Sequence, residues 1–279
     1  MLQTNRRSFA LSLSAFAMTG CGSVQTPTRQ SRTIPAQTMP PSSAPSATSI
    51  YPPNFGDADP VDFSFRKPAH YPVHGIDAAR FQKSSDWKIA RANGVNFAWI
   101  KATEGGDLRD PMFHQHWHGA RHAGIPTGAY HFYYFCTDAE VQARWFIQNV
   151  HKHKGMLPPV LDMEWNPFSP TCSKRPPAKV VRREARIFIA AIQAHYGQYP
   201  LVYTTPGFFK DNELHRLGTV EFWLRATAEH PTEAYANQKW RFWQYSGTGI
   251  VPGFEGATDL NLFNGSAADW RGWLAARRV

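Results

Sequence analysis

The sequence predicts an α/β fold, and specifically a (β/α)8 barrel whose second half is irregular. Eight short apolar or aromatic segments are candidate strands, and polar segments with helical periodicity lie between the early ones. Strands that alternate with helices favour a parallel sheet, and eight such strands are enough to close a barrel. The later connections are short and weakly periodic, so we expect fewer helices in the second half.

Each candidate strand is rich in β-branched, aromatic or aliphatic residues, the composition that strands favour. In chain order the candidates are residues 73–77, 97–101, 127–132, 159–164, 201–204, 222–224, 241–245 and 258–262. The candidate helices carry apolar residues three or four positions apart. They are residues 86–93, 111–123, 138–153 and 178–196.

Two carboxylates close the fourth candidate strand. Asp162 and Glu164 are spaced i, i+2, which in a strand places both side chains on one face, about 6–7 Å apart. A shared field raises the pKa of one carboxyl and leaves its neighbour ionised, the division of labour that glycosidic bond cleavage requires. The apolar residues 158–161 before them are typical of a strand buried on both faces, where charge is admitted at the carboxyl end.

Other strands also end in polar or aromatic residues, which should meet at one mouth of a barrel. These residues are Asp77, Lys101, Tyr130, His131, Tyr203, Trp243, Gln244 and Asp259. Four acids with aromatics and an amide indicate a sugar-binding cleft. They do not indicate a phosphate-binding site, because the sequence has no glycine-rich phosphate loop at the start of a helix. The three large aromatics Tyr130, Tyr203 and Trp243 have faces that stack on sugar rings, with core packing as their alternative.

Lys101 and the histidines have simpler interpretations. Lys101 is either a structural ion pair, with Asp77 as one candidate partner, or a ligand contact. His131 is expected to be a hydrogen-bonded barrel residue rather than a proton carrier. On the second candidate helix, only the i, i+4 pairs among His114, His116, His118 and His122 share a face and no acid joins them, so we expect no metal and no cofactor.

The first twenty residues resemble an export signal. Arg6 and Arg7 precede an apolar run that is too short to span a bilayer, as in twin-arginine signals. Residues 18–21, Met-Thr-Gly-Cys, resemble a lipobox, in which Cys21 is acylated and becomes the mature N-terminus. Ordinary cleavage and release is the alternative. The sequence thus predicts an exported lipoprotein, anchored to a membrane through Cys21 and facing the periplasm or cell wall.

Residues 21–70 are predicted to be a disordered linker, and residues 71–279 to be the barrel domain. Eight prolines lie between Pro27 and Pro60, with many Ser and Thr and few apolar residues to bury. Such a segment would carry the barrel some tens of ångströms from a membrane surface.

Composition limits the partners and the compartment. Thirty Lys and Arg against 21 Asp and Glu give a net charge of +9, which suits a polyanionic partner. Because the chain carries an export signal, we expect an envelope polymer and no nucleic acid, and we expect a monomer. Apart from Cys21, the chain has two cysteines, Cys136 and Cys172. In the oxidising compartment that export implies they could form a disulfide, and two free thiols are the alternative.

Seven short blocks, taken in order, resemble a known family. They are residues 74–77 with Gln82, Asp86 and Trp87; 100–105; 110–113; 128–132; 158–164; 243–245; and 251–253 with 259–261. Together they resemble glycoside hydrolase family 25, the N-acetylmuramidase (lysozyme) family, over about residues 71–263. The chain differs from the usual family pattern at residues 78–83 and at Arg225, which leaves the outer subsites and the preferred peptide substitution of the glycan open.

The resemblance implies a flattened, irregular (β/α)8 barrel that cleaves the β-1,4 bond between N-acetylmuramic acid and N-acetylglucosamine in peptidoglycan. By position, Glu164 resembles the general acid/base, Asp162 its catalytic partner, and Asp77 and Asp259 the outer acids of the cleft. Tyr130, Tyr203, Trp243 and Gln244 are then expected to bind substrate. The inserted segment 166–177, which contains Cys172, follows the catalytic strand and is expected to reshape the cleft.

The shared face of the acid pair limits the mechanism. Because Asp162 and Glu164 leave one strand on the same side, Asp162 is badly placed to attack the far face of the sugar. We therefore expect the substrate's 2-acetamido oxygen to attack, with retention of configuration. Direct attack by Asp77 or Asp259 is the alternative, and a non-catalytic glycan-binding module or a chitinase-like hydrolase remain alternative functions.

Overall fold

The computed structural model describes residues 49–279. The predicted export signal and the lipidation site Cys21 lie outside the described residues. The strands are β1 (Gly56–Asp57), β2 (His74–Ala78), β3 (Ala98–Glu104), β4 (Leu108–Arg109), β5 (Thr127–Phe132), β6 (Val160–Met163), β7 (Leu201–Thr204), β8 (Phe222–Arg225), β9 (Phe242–Ile250) and β10 (Thr258–Phe263).

Helices cover the outside of these strands. They are α1 (Trp87–Ala92), α2 (Phe113–His122), α3 (Ala139–Asn149), α4 (Ala178–Tyr196), α5 (Pro206–Asp211), α6 (Pro231–Ala234) and α7 (Ala267–Arg277), with short 3-10 segments at Pro68–His70 and Leu214–Leu217. The four helices expected in the first half are present. Within residues 49–279, no helix is both long enough and apolar enough to cross a membrane.

Eight of the strands close into a barrel, as the sequence predicts. The closed order is β2, β3, β5, β6, β7, β8, β9 and β10, with β10 next to β2 again. Neighbours from β2 round to β9 are parallel, whereas β10 is antiparallel to both β9 and β2. The layout therefore departs from regular β/α units at β10, because a loop of the described chain joins β9 to β10 without a helix.

The segment before β2 corrects the predicted linker boundary. The Tyr51 amide donates to Asn96 Oδ1 at 2.8 Å, and β1 pairs with β9. The Phe63 ring packs edge-on against Trp243 with centroids 4.8 Å apart. Disorder is thus wrong for residues 49–70, because the Tyr51 backbone and the Phe63 ring find partners on the barrel. The folded part begins upstream of residue 71.

Aromatic side chains fill the barrel interior below the mouth. The Trp99 ring lies 4.6 Å from Phe242 and 5.0 Å from Trp223, measured between centroids. Trp270 and Trp273 of α7 belong to the same buried cluster. Large buried rings of this kind contribute about 1.5–3 kcal/mol each to folding. The interior is therefore packed, and the space for a ligand is at the mouth.

Helix α4 shows how the outer layer is held. Its buried residues Val181, Ala185, Phe188 and Ile192 recur every three or four positions and pack on the barrel. The helix ends at Gly197, which takes the left-handed conformation (φ 77°) that glycine adopts without strain.

Cys136 and Cys172 form a disulfide, which decides a question that the sequence left open. It links the loop after β5 to the inserted segment 166–177 after β6. A cross-link over 36 residues is worth about 3–4 kcal/mol by chain-entropy arguments. The bond fixes the inserted segment beside the carboxyl end of β6.

Candidate active site

A cleft of about 240 Å³ opens at the carboxyl ends of the parallel strands. Because β10 runs in the opposite direction, its second residue, Asp259, reaches the same mouth and lies directly opposite Asp77 of β2. Seven of the eight predicted catalytic and substrate-binding residues line this cleft. They are Asp77, Tyr130, Asp162, Glu164, Tyr203, Gln244 and Asp259.

Trp243 is the exception, and its predicted place in the cleft is wrong. Its side chain is fully buried, and its indole Nε1 donates to the Ala226 carbonyl at 2.7 Å. Consecutive residues of a strand point to opposite faces. Since Gln244 faces the cleft, Trp243 must face the outer layer. The aromatic wall of the cleft includes Trp223 of β8 instead.

Asp162 and Glu164 face the same cleft, in agreement with their i, i+2 spacing. Burial raises the pKa of the Asp162 carboxyl well above its usual range, the negative charge of Glu164 adds to the rise, and the Lys101 ammonium opposes it. Its Oδ1 atom is buried and has no hydrogen-bond partner among the described residues. A buried acceptor without a donor costs free energy. This oxygen is therefore suited to accept a hydrogen bond from an N–H group of a ligand.

Glu164 has the protonation behaviour of an acid catalyst at neutral pH. Burial raises the pKa of its carboxyl to about 7, while the positive charges of Arg225 and Lys101 hold it down. A group with a pKa near the working pH can both give and recover a proton. The pKa of both carboxyls is thus raised, whereas one of them was expected from the sequence to keep its ordinary value, and the Lys101 ammonium favours the charged form of Asp162.

A hydrogen-bond network fixes the wall formed by Asp77. The Tyr203 hydroxyl donates to Gln244 Oε1 at 2.9 Å, and Gln244 Nε2 donates to Asp77 Oδ2 at 3.0 Å. Asn261 Nδ2 donates to the same oxygen at 2.8 Å. Burial and then the nearby charge of Asp259 raise the pKa of Asp77 well above its usual range. Asp77 and Asp259 therefore interact as a buried pair.

Lys101 forms an ion pair, but not with Asp77. Its Nζ lies 2.6 Å from Glu104 Oε2, and both side chains are buried. The ammonium also lies 4.6 Å from the centre of the Phe132 ring, and the Tyr134 hydroxyl donates to Glu104. The ion-pair interpretation of Lys101 is confirmed, but its candidate partner Asp77 was wrong, because β3 continues to Glu104, three residues beyond its predicted end.

His131 is a hydrogen-bonded barrel residue, as expected. Its Nδ1 lies 2.8 Å from Thr103 Oγ1 and its Nε2 lies 3.0 Å from Gln142 Oε1. Burial lowers the pKa of the imidazole to about 4, so it is neutral at pH 7. Over residues 49–279, no group of three or more His, Cys, Asp or Glu is arranged to hold a metal ion.

Comparison with known proteins places this acid-lined barrel in a family. A family model described as glycosyl hydrolases family 25 matches residues 76–254. The chain belongs to glycosyl hydrolase family 25. It is therefore a glycoside hydrolase, which agrees with the carboxylate pair at the mouth of the barrel.

Relatives of this family 25 member support the same assignment. The chain is 35% identical over 204 residues to Lysozyme M1 of Streptomyces globisporus, covering 70% of this chain and 69% of that protein. It is 35% identical over 217 residues to the uncharacterized protein YegX of Escherichia coli O6:H1, covering 76% of this chain and 77% of that protein.

Solved structures share the fold. A bacterial lysozyme from Streptomyces coelicolor matches with a TM-score of 0.63 and 33% identity, covering 71% of this chain and 94% of that chain. A family 25 glycosyl hydrolase from Bacillus anthracis matches with a TM-score of 0.67 and 30% identity, covering 74% of this chain and 95% of that chain.

Several residues that line the cleft of this family 25 barrel were not among the predicted site residues, and three of them have large side chains beside the acids or at the rim. Trp223 and Arg225 alternate along β8 and both line the cleft. Phe81 also lines it and is 71% exposed, with the Arg80 guanidinium 5.3 Å from its ring centre. The alternation of side chains along β8 could have predicted Trp223 and Arg225, because residues spaced i, i+2 in a strand share a face. The loop that positions Phe81 has no such periodicity.

Replacing Arg225 by Ala is expected to shift the pH profile. Glu164 needs its proton to act as an acid, so activity is lost as pH rises through its pKa of about 7. Arg225 lowers that pKa, and its removal should therefore move the alkaline limb of kcat/KM to higher pH. The profile is measured for wild type, for R225A and for R271A, an exposed control on α7. An unchanged limb, or a shift to lower pH, would contradict the role given to Arg225.

Proposed function

We propose that this glycoside hydrolase is an N-acetylmuramidase that cleaves the β-1,4 bond between N-acetylmuramic acid and N-acetylglucosamine with retention of configuration. The observation that carries the proposal is the buried, unpartnered Oδ1 of Asp162 on the same face as Glu164. Both sugars of peptidoglycan carry a 2-acetamido group, whose N–H is the kind of donor that this oxygen lacks. The name of the relative Lysozyme M1 supports the same substrate.

The first step breaks the glycosidic bond. Glu164 donates its proton to the glycosidic oxygen while the carbonyl oxygen of the 2-acetamido group attacks the anomeric carbon. The Asp162 carboxylate accepts a hydrogen bond from the acetamido N–H. Its negative charge stabilises the positive charge that develops on that group. The product is a cyclic oxazolinium ion, and the leaving sugar departs with a neutral hydroxyl.

The second step restores the enzyme. Glu164, now a carboxylate, takes a proton from a water molecule as the water attacks the anomeric carbon, and the ring of the oxazolinium opens. Two inversions at one carbon give net retention. Asp77 is less suited to direct attack, because its Oδ2 already accepts hydrogen bonds from Gln244 and Asn261.

The rest of the cleft fits a glycan. Tyr130 and Tyr203 present aromatic surfaces beside the acids, the buried Trp223 borders the cleft from the barrel interior, and Phe81 extends the aromatic lining to the rim. Such surfaces stack on the C–H faces of sugar rings, and the amides and carboxyls accept and donate to their hydroxyls. An acid-lined cleft with aromatic side chains thus supports a glycan as substrate.

Reducing ends released from purified peptidoglycan and from chitin oligomers test the proposal against its alternatives. We expect release from peptidoglycan and little from chitin. Preferential release from chitin would favour a chitinase-like hydrolase. Binding to peptidoglycan without any release would favour a glycan-binding module. Both of the latter results would overturn the muramidase assignment.

We further propose that the protein is exported and attached to a membrane through a lipid on Cys21, with the barrel facing the periplasm or cell wall. This proposal depends on the sequence before residue 49. C21A should abolish lipid modification and move the protein from the membrane fraction to the released fraction. Its hydrolysis of solubilised glycan should be unchanged, because the cleft is built from residues downstream of residue 70.

Mass spectrometry of the mature N-terminus decides the anchoring proposal. An acylated peptide that begins at Cys21 is the expected result. An unmodified N-terminus at another residue would contradict it. S23A, two residues away, is the matched control and should leave both the lipid and the membrane location unchanged.

A further inference from the structure

A second pocket of about 200 Å³ adjoins the catalytic cleft. The two cavities share Glu164 as a lining residue. One wall of the second pocket is the inserted segment 166–177, held by the Cys136–Cys172 disulfide. The second pocket therefore begins beside Glu164. A group attached to a sugar at the scissile bond lies close enough to enter it.

The floor of the second pocket is a fixed aromatic ring. Trp165 Nε1 donates to Asp211 Oδ2 at 2.8 Å, and its ring packs against Phe208 with centroids 4.5 Å apart. The Arg175 guanidinium lies 5.0 Å from the centre of the Trp165 ring. A cation over an indole face is oriented without being neutralised.

The pocket carries two cationic side chains. Lys174 and Arg175 line it and are exposed. Among residues 49–279, neither belongs to an ion pair with a carboxylate. Positive charge that no protein acid neutralises, beside a flat apolar surface, suits a ligand that has carboxylates on a short, partly apolar chain.

We propose that this pocket is a subsite for the stem peptide of peptidoglycan, whose free carboxylates pair with Lys174 and Arg175. The inference rests on the proposed muramidase function and names the part of the substrate that this function leaves open. The muramic acid ring whose glycosidic oxygen Glu164 protonates carries the peptide on its lactyl group. The pocket that shares Glu164 with the cleft is where that peptide can lie.

Binding measurements test the subsite without depending on turnover. The probes are the N-acetylglucosaminyl-N-acetylmuramic acid disaccharide with a tetrapeptide, the same compound with its peptide carboxylates amidated, and the peptide-free disaccharide with its lactyl carboxyl amidated. Calorimetric Kd values are measured for wild type and for the double variant Lys174→Ala, Arg175→Ala. The matched control is Lys179→Ala, Arg271→Ala, which removes two exposed positive charges that line neither cavity.

Wild type should bind the peptide-bearing probe about tenfold more tightly than the peptide-free probe, the size expected of charge-assisted contacts at an exposed site. Amidation of the probe and the double variant should each remove that advantage, while the control variant keeps it. Equal Kd values for the three probes, or the same loss in the control variant, would overturn the subsite. A protein that shows the peptide preference but releases no reducing ends would instead overturn the muramidase function alone.

Discussion

Replacing Glu164 by Gln should lower turnover on peptidoglycan by at least about 10²–10⁴-fold, the contribution of a positioned general acid. The amide keeps the shape of the carboxyl and cannot transfer its proton. Because burial raises the pKa of Glu164 to about 7, the wild-type protein must hold a buried carboxylate above that pH. The E164Q variant should therefore unfold at the same temperature as wild type at pH 8, or at a higher one.

Initial rates and thermal unfolding are measured on the same preparations. E140Q is the matched control, because Glu140 is exposed on α3 and does not line the cleft. The control should retain wild-type activity. Activity of E164Q within tenfold of wild type, with the fold intact, would remove Glu164 from the role of acid.

Replacing Asp162 by Asn should be the second most damaging change, at about 10²–10³-fold in kcat, the size seen when one electrostatic contact to a transition state is lost. The charge of Asp162 is required when the acetamido group becomes positive. Asp77→Asn should lower kcat much less. In the wild-type protein Gln244 and Asn261 donate hydrogen bonds to Asp77 Oδ2, and the amide oxygen of an asparagine can still accept them. A larger loss for D77N than for D162N would favour Asp77 as the nucleophile.

The stereochemistry of the first product separates acetamido attack from direct attack by water, whereas attack by Asp77 would also retain the configuration. If the acetamido oxygen attacks, NMR of the freshly formed reducing end should show the β-anomer. The α-anomer as first product would rule this mechanism out and indicate direct attack by water.

The sequence predicted the acid pair well because strand geometry is local. An i, i+2 spacing places Asp162 and Glu164 on one face whatever surrounds the strand. The same rule accounts for the error at Trp243. Adjacent residues of one strand cannot both face the cleft, and Gln244 occupies that face. Both features followed from the period of the strand alone.

Other features depend on contacts between distant parts of the chain. The direction of β10 is set by its pairing with β2 and β9, and no pattern within β10 specifies it. The Lys101–Glu104 ion pair required the true end of β3. Residues 49–70 have the composition of a linker, yet Phe63 packs on the barrel. In each case tertiary contacts outweigh local composition.

The identity of the new reducing ends tests the muramidase assignment most directly. Purified peptidoglycan is digested, the products are reduced with borohydride, and the terminal sugars are identified by mass spectrometry. We expect N-acetylmuramitol at the new ends, because the muramic acid ring is the one whose anomeric carbon is attacked. N-acetylglucosaminitol at the new ends, or no new ends with the folded wild-type protein, would contradict the assignment.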